Sequence, residues 1–126
     1  MTNSAGLRRT RSFIIFCAVA IAVAALPLLS RARTNSTSVN VVNNSSREIR
    51  NVYTSHVDAE DWGPDLLGDA VIQAGHSSDI SNIACDSQQI KLIAEDQDGC
   101  FSSTVVTCGG SSSWTITDDT ARDCGN

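Results

Sequence analysis

The chain has 126 residues, with 9 Lys+Arg against 14 Asp+Glu and a formal net charge of −5. Residues 1–32 hold four of the arginines (Arg8, Arg9, Arg11, Arg31) and no acid, so the other 94 residues carry five basic and fourteen acidic groups, a net of −9. An acidic body of this size excludes a multidomain enzyme and a doubly wound nucleotide fold, and it predicts no nucleic-acid partner, since phosphate binding depends on clustered Lys and Arg.

Met1–Ser12 is polar and basic, and Phe13–Leu29 (FIIFCAVAIAVAALPLL) is an unbroken apolar run. This is the pattern of a signal peptide with a signal helix, and Ser30-Arg31-Ala32 places small residues for cleavage after Ala32. An uncleaved anchor is the alternative, because about 17 apolar residues is the lower limit for spanning a bilayer. Either way the positive N-terminus stays inside and the body is sent out, secreted or periplasmic, with membrane contact only through this segment. Arg11 and Ser12 stand where a twin-arginine signal needs apolar residues, and Cys17 lies too early in the run for a lipoprotein.

Arg33–Ser38 (RTNSTS) has no apolar residue and is expected to be a tether, with the folded domain spanning 39–126. Short β-type runs then follow at Val39–Val42, Glu48–Thr54, Ala70–Gln73, Ser78–Ile83, Gln89–Glu95, Phe101–Cys108 and Ser113–Thr117, separated by Asn, Gly and Ser turn-formers. About seven short strands with few helix signals predict an all-β fold, a small antiparallel β-sandwich. Trp114 and Ile116 alternate well, whereas the three-residue spacing of Ile80 and Ile83 implies a bulge.

The one long connection, Ser55–Asp69, places Asp58, Glu60, Asp61, Asp65 and Asp69 around Trp62. A loop of about 15 residues inside a small domain is usually functional or disordered, and Trp62, Leu66 and Leu67 argue against disorder. Such residues pin a loop to the fold while its acids face water.

Without Cys17 four cysteines remain, Cys85, Cys100, Cys108 and Cys124. An even count in a small exported domain predicts two disulfides, and the absence of any C-x2-C pair argues against zinc. Asp96-Gln97-Asp98-Gly99 is a hairpin turn signal between two β-type runs. Extending that hairpin sets Cys85 opposite residues 108–112, so Cys85–Cys108 is the preferred bridge and Cys100–Cys124 remains. The first closes a loop of about 24 residues, worth about 3 kcal/mol in the chain-entropy model.

Val52-Tyr53-Thr54-Ser55, Asp61-Trp62-Gly63-Pro64-Asp65-Leu66-Leu67-Gly68, Gly75-His76-Ser77, Cys85, and Asp96 to Gly99 followed by Cys108 form an ordered series. It resembles a family of small exported bacterial proteins of unknown function, over roughly residues 39–117. The resemblance implies a β-sandwich and assigns no catalytic or ligand-binding residue. Cys100 and Cys124 are additions to the family pattern.

Three chemistries compete for the acidic loop. Trp62 and Tyr53 can stack on a sugar or peptide while Asp58, Glu60, Asp61 and Asp65 accept its hydrogen bonds, which makes a binding or structural module of the cell envelope. Calcium is the possible cofactor, with Asp58, Glu60 and Asp69 as candidate ligands, although Trp62 and Asp69 occupy positions where an EF-hand needs a ligand and a bidentate Glu. A small hydrolase would use His56 or His76 with a nearby acid, without any G-x-S-x-G elbow to support it.

Overall fold

The computed structural model describes residues 35–125. The signal segment, its cleavage site and the first residues of the expected tether lie outside them. Six strands form: β1 (Asn35–Asn44), β2 (Ile49–Ser55), β3 (Ser77–Cys85), β4 (Gln89–Asp96), β5 (Phe101–Thr107) and β6 (Ser111–Thr117). They make two three-stranded sheets, ordered β3-β1-β6 and β2-β4-β5.

Every second residue of β1 is buried, from Thr37 through Val39 and Val41 to Asn43, as a central strand over a core requires. The core runs from these valines to Ile80 and Ile83 on β3, Trp114 and Ile116 on β6, and Val52, Ile90, Leu92, Ala94 and Val106 on the facing sheet. Each fully buried Val, Leu or Ile contributes roughly 1.5–3 kcal/mol, so this alternation selects the register of both sheets.

The all-β sandwich is as expected, with four differences of detail. Ala70–Gln73 makes only a single bridge, Ile72 to Ile49, so there are six strands, not seven. The β1–β6 pair is parallel, so the sandwich is not purely antiparallel. Strand β1 begins at Asn35: four residues assigned to the tether pair instead with β3 and β6, and Thr37 is buried with its hydroxyl donating to Gly110 O at 2.7 Å. Their polarity concealed a strand because their hydrogen bonds, not apolar side chains, hold them. The fourth difference concerns the route of the chain, since β3 and β4 lie in different sheets.

The irregularity at Ile80–Ile83 is a bulge. Thr37 and Val39 face Ile83 and Ile80, two steps against three, and Asn82 absorbs the extra residue with φ 59°. Both isoleucines thereby reach the core.

Both predicted disulfides are present, Cys85–Cys108 and Cys100–Cys124. The geometry behind the first differs from a simple extended hairpin. Cys85 ends β3 and Cys108 follows β5, so the bridge ties the two crossings between sheets, where Cys108 N also donates to Gln88 O at 2.9 Å. The second bridge holds the C-terminal segment on β5, beside a two-way backbone pair between Phe101 and Asp123.

Candidate functional site

The outward side of β2-β4-β5 carries Tyr53, Lys91, Ile93, Glu95, Phe101 and Val105, with Tyr53 and Ser103 facing Ile93 and Phe101 facing Glu95. Ile93 is 3% exposed yet stands outside the main core. Something must cover this face, and the Ser55–Asp69 loop supplies it.

That loop follows the free edge of β2. Gly63 N donates to Thr54 O at 2.8 Å and Leu66 N to Val52 O at 2.7 Å. The Asp65 carboxylate accepts from Val52 N at 2.9 Å, Leu67 N at 3.1 Å and Asn51 Nδ2 at 3.0 Å. A Cβ at Gly63 would lie 3.3 Å from Thr54 Oγ1, so glycine allows the approach without displacing that hydroxyl. Pro64 has no N–H to satisfy between the two bonded residues. The W-G-P-D-L-L string is thus a device for closing a sheet edge. Leu66 and Leu67 pack against the core, as expected of apolar residues that pin the loop to the fold.

Asp65 therefore caps the edge of β2. The remaining candidates, Asp58, Glu60, Asp61 and Trp62, are exposed. Trp62 is held with its ring centroid 5.5 Å from Tyr53 and 4.9 Å from Phe101, the latter edge-on at 67°. It lies between the two outer strands of the sheet and remains 42% exposed. Tyr53 donates its hydroxyl to Glu95 Oε2 at 3.3 Å. Burial, followed by the charge and hydrogen bond of Glu95 and then the Asp65 charge, pushes the phenol pKa above its ordinary value. The result is an aromatic platform with the carboxylate of Glu95 at its edge. Phe101 is not recognisable as a member from sequence, because nothing local marks a phenylalanine beside Cys100 as facing outward.

Among the described residues, neither a calcium ligand set nor a serine hydrogen-bonded to a histidine is formed. Asp58, Glu60 and Asp69 are not brought together, and among the described residues no three His, Cys, Asp or Glu side chains converge on a cation position. His56 Nε2 lies 3.5 Å from Asp86 Oδ2, both exposed. Two shallow clefts meet at His56, one of about 450 Å³ with Asp58 and Ser87 and one of about 280 Å³ with Ser55 and Asp61. Yet Ser55 Oγ donates to His56 O and Ala59 O, and Ser87 Oγ donates to Gln89 O. Neither hydroxyl gives its proton to the imidazole, which is what a serine nucleophile requires. His76 sits in an exposed turn against Ala74 O at 3.1 Å.

The second acidic turn is structural. Asp96, 5% exposed, accepts from Asp98 N and Cys100 N through Oδ1 and from Arg122 at 2.8 Å through Oδ2. Arg47 Nε is 3.2 Å from the same oxygen but is not aligned for a hydrogen bond. Burial opposes the Asp96 charge, but the Arg122 hydrogen bond and the two backbone N–H groups outweigh it and hold the pKa below the usual carboxylate value.

No protein-family model matches the chain, and no curated protein matches it. Among solved structures, the NMR structure of a protein from Eubacterium rectale is similar over 68% of this chain and 80% of its own, at 15% identity and a TM-score of 0.40.

Proposed function

We propose that this protein is an exported, non-enzymatic binding module of the cell envelope whose ligand stacks on the Trp62 platform. The single observation behind this reading is the half-exposed Trp62, gripped by Tyr53 and Phe101 on a disulfide-stapled sheet instead of being buried. Large aromatics left in water on a rigid support are what binding surfaces use. The Glu95 carboxylate repels anions, and a neutral sugar ring suits the platform: its C–H face covers the indole and its hydroxyls donate to Glu95. Two disulfides accord with an oxidising compartment, and among the described residues no helix is long and apolar enough to cross a membrane.

The test uses the chain purified from the extracytoplasmic fraction of expressing cells. Retention on a panel of neutral polysaccharides, with quenching of Trp62 emission, is the expected result, and Trp62→Ala should abolish both while the thermal midpoint stays measurable. Retention that survives Trp62→Ala, or none on any member of the panel, refutes the reading.

A further inference from the structure

Two of the four sheet edges are protected. The Gly63–Leu67 segment covers β2, and the bulge at Asn82 bends β3. Strand β5 is different. Its even-numbered residues turn toward β4, as the bonds Asp96 N to Cys100 O at 3.0 Å and Cys108 N to Gln88 O at 2.9 Å show at its two ends. Its odd-numbered residues turn away, as the pair between Phe101 and Asp123 shows, with distances of 2.7 and 2.8 Å.

Beyond Phe101 the C-terminal segment makes no further bridge to β5 among the described residues. The N–H and C=O groups of Ser103, Val105 and Thr107 therefore point outward with no strand beside them. An open edge of this kind is a template for another strand.

We propose that β5 pairs antiparallel with β5 of a second copy, about a two-fold axis through Val105. Three features of this edge select that occupant. The open stretch is bounded by Asp123 at one end and by Cys108, turned back to Gln88, at the other, so Val105 is its midpoint. An isologous contact needs such a midpoint, because each residue must meet its symmetry mate. In this register Val105 faces Val105 and Ser103 faces Thr107, and each facing pair exchanges two hydrogen bonds. Finally, Ser103–Thr107 carries no charge, although the described residues hold 14 acids against 4 bases, so the contact sets no like charges opposite each other.

Val105 is also one of the few large apolar side chains left exposed, at 44%. Pairing buries it against its mate on the same face, a cross-strand β-branched contact. The two β2-β4-β5 sheets then join into one sheet, with both Trp62 platforms on its outer side. This inference does not depend on the ligand reading, and either can fail alone.

The test is sedimentation or light scattering of the protein from the extracytoplasmic fraction, from about 1 μM to about 1 mM, the range in which a small interface dissociates. Wild type should pass from monomer to dimer, more readily as salt screens the net charge. Val105→Lys should remain monomeric to the highest concentration, and Val105→Pro should do the same, because the N–H it removes is outside the β4 ladder. Far-UV circular dichroism confirms that both variants fold. As a register check, Val105→Cys should form an intermolecular disulfide under mild oxidation, and Ser103→Cys, which faces Thr107, should not. A wild type that stays monomeric throughout, a dimer unaffected by Val105→Lys, or equal crosslinking at the two positions overturns the proposal. A monomer that instead retains a foreign extended peptide on this edge also overturns it.

Discussion

The carboxylate of Asp65 accepts the backbone N–H of Val52 at 2.9 Å, and this contact turns an acidic loop into part of the sheet. One side chain holds three donors, two of them backbone groups. Replacing it by Ala should lower stability by about 2 kcal/mol in urea denaturation, since those donors lose their charged acceptor. Asp65→Asn keeps an acceptor oxygen and should cost about half as much.

Asn43 is fully buried inside a satisfied network. Its Nδ2 donates to Arg47 O at 2.7 Å and to Ile72 O at 2.9 Å, and its Oδ1 accepts from Ser45 N and Ser45 Oγ. Asn43→Ala leaves Ile72 O and Ser45 N without their buried partner, so a loss of about 3 kcal/mol is expected. Equilibrium unfolding monitored by Trp114 emission measures it.

Acid should weaken the fold through Asp96. Its folded pKa lies below the 3.8 of an ordinary carboxyl, so the unfolded chain takes up the proton first as pH falls. The stabilisation is present above about pH 4 and is lost as pH drops through the folded value. Urea midpoints measured at pH 7, 4 and 3 should decline, and Arg122→Met should flatten that decline, because the strongest favourable contact of Asp96 has gone. A midpoint independent of pH in wild type contradicts this.

The disulfides set a second condition. Alkylation without reductant should label no thiol among residues 35–125. Removing the first bridge, by the pair Cys85→Ala with Cys108→Ala, should destabilise the protein by about 3 kcal/mol by releasing a loop of about 24 residues. The Cys100–Cys124 bridge has a comparable sequence separation of 24, but it ties only a terminal segment, so its loss should free the C-terminus with the sheets intact. Hydrogen exchange at Phe101 N, bonded to Asp123 O, reports that release.

The two tryptophans should be separable spectroscopically. Trp114 is 8% exposed and Trp62 is 42% exposed. Trp62→Phe should leave a blue-shifted, poorly quenched emission from Trp114 alone, and equal quenching of wild type and variant by acrylamide contradicts the exposed platform.

Much of the fold was legible because it rests on local periodicity. The alternation of Val39 and Val41, the shared face of Trp114 and Ile116, and the Asp96–Gly99 turn each follow from a few neighbouring residues. The three-residue step from Ile80 to Ile83 even located the bulge. Asn35–Ser38 has the sequence of a tether because a polar strand shows no apolar alternation; Thr37 is buried by pairing on both sides. Likewise Asp65 looked like its four acidic neighbours, and only its distance from Val52 N distinguishes a cap from a ligand.

By itself, then, the sequence determined the class, the strand periods, the turn positions and the likeness of the working domain to a small stapled sandwich, because these are set by side-chain spacing and cysteine count. Tertiary structure alone decided that β3 and β4 part into different sheets, that β1 and β6 run parallel, that Tyr53, Trp62 and Phe101 meet, and that β5 keeps an open edge. The physical reason is contact range. Each of those relationships joins residues far apart in the chain, chosen by which apolar faces and unpaired backbone groups remain to be satisfied once the local elements have formed.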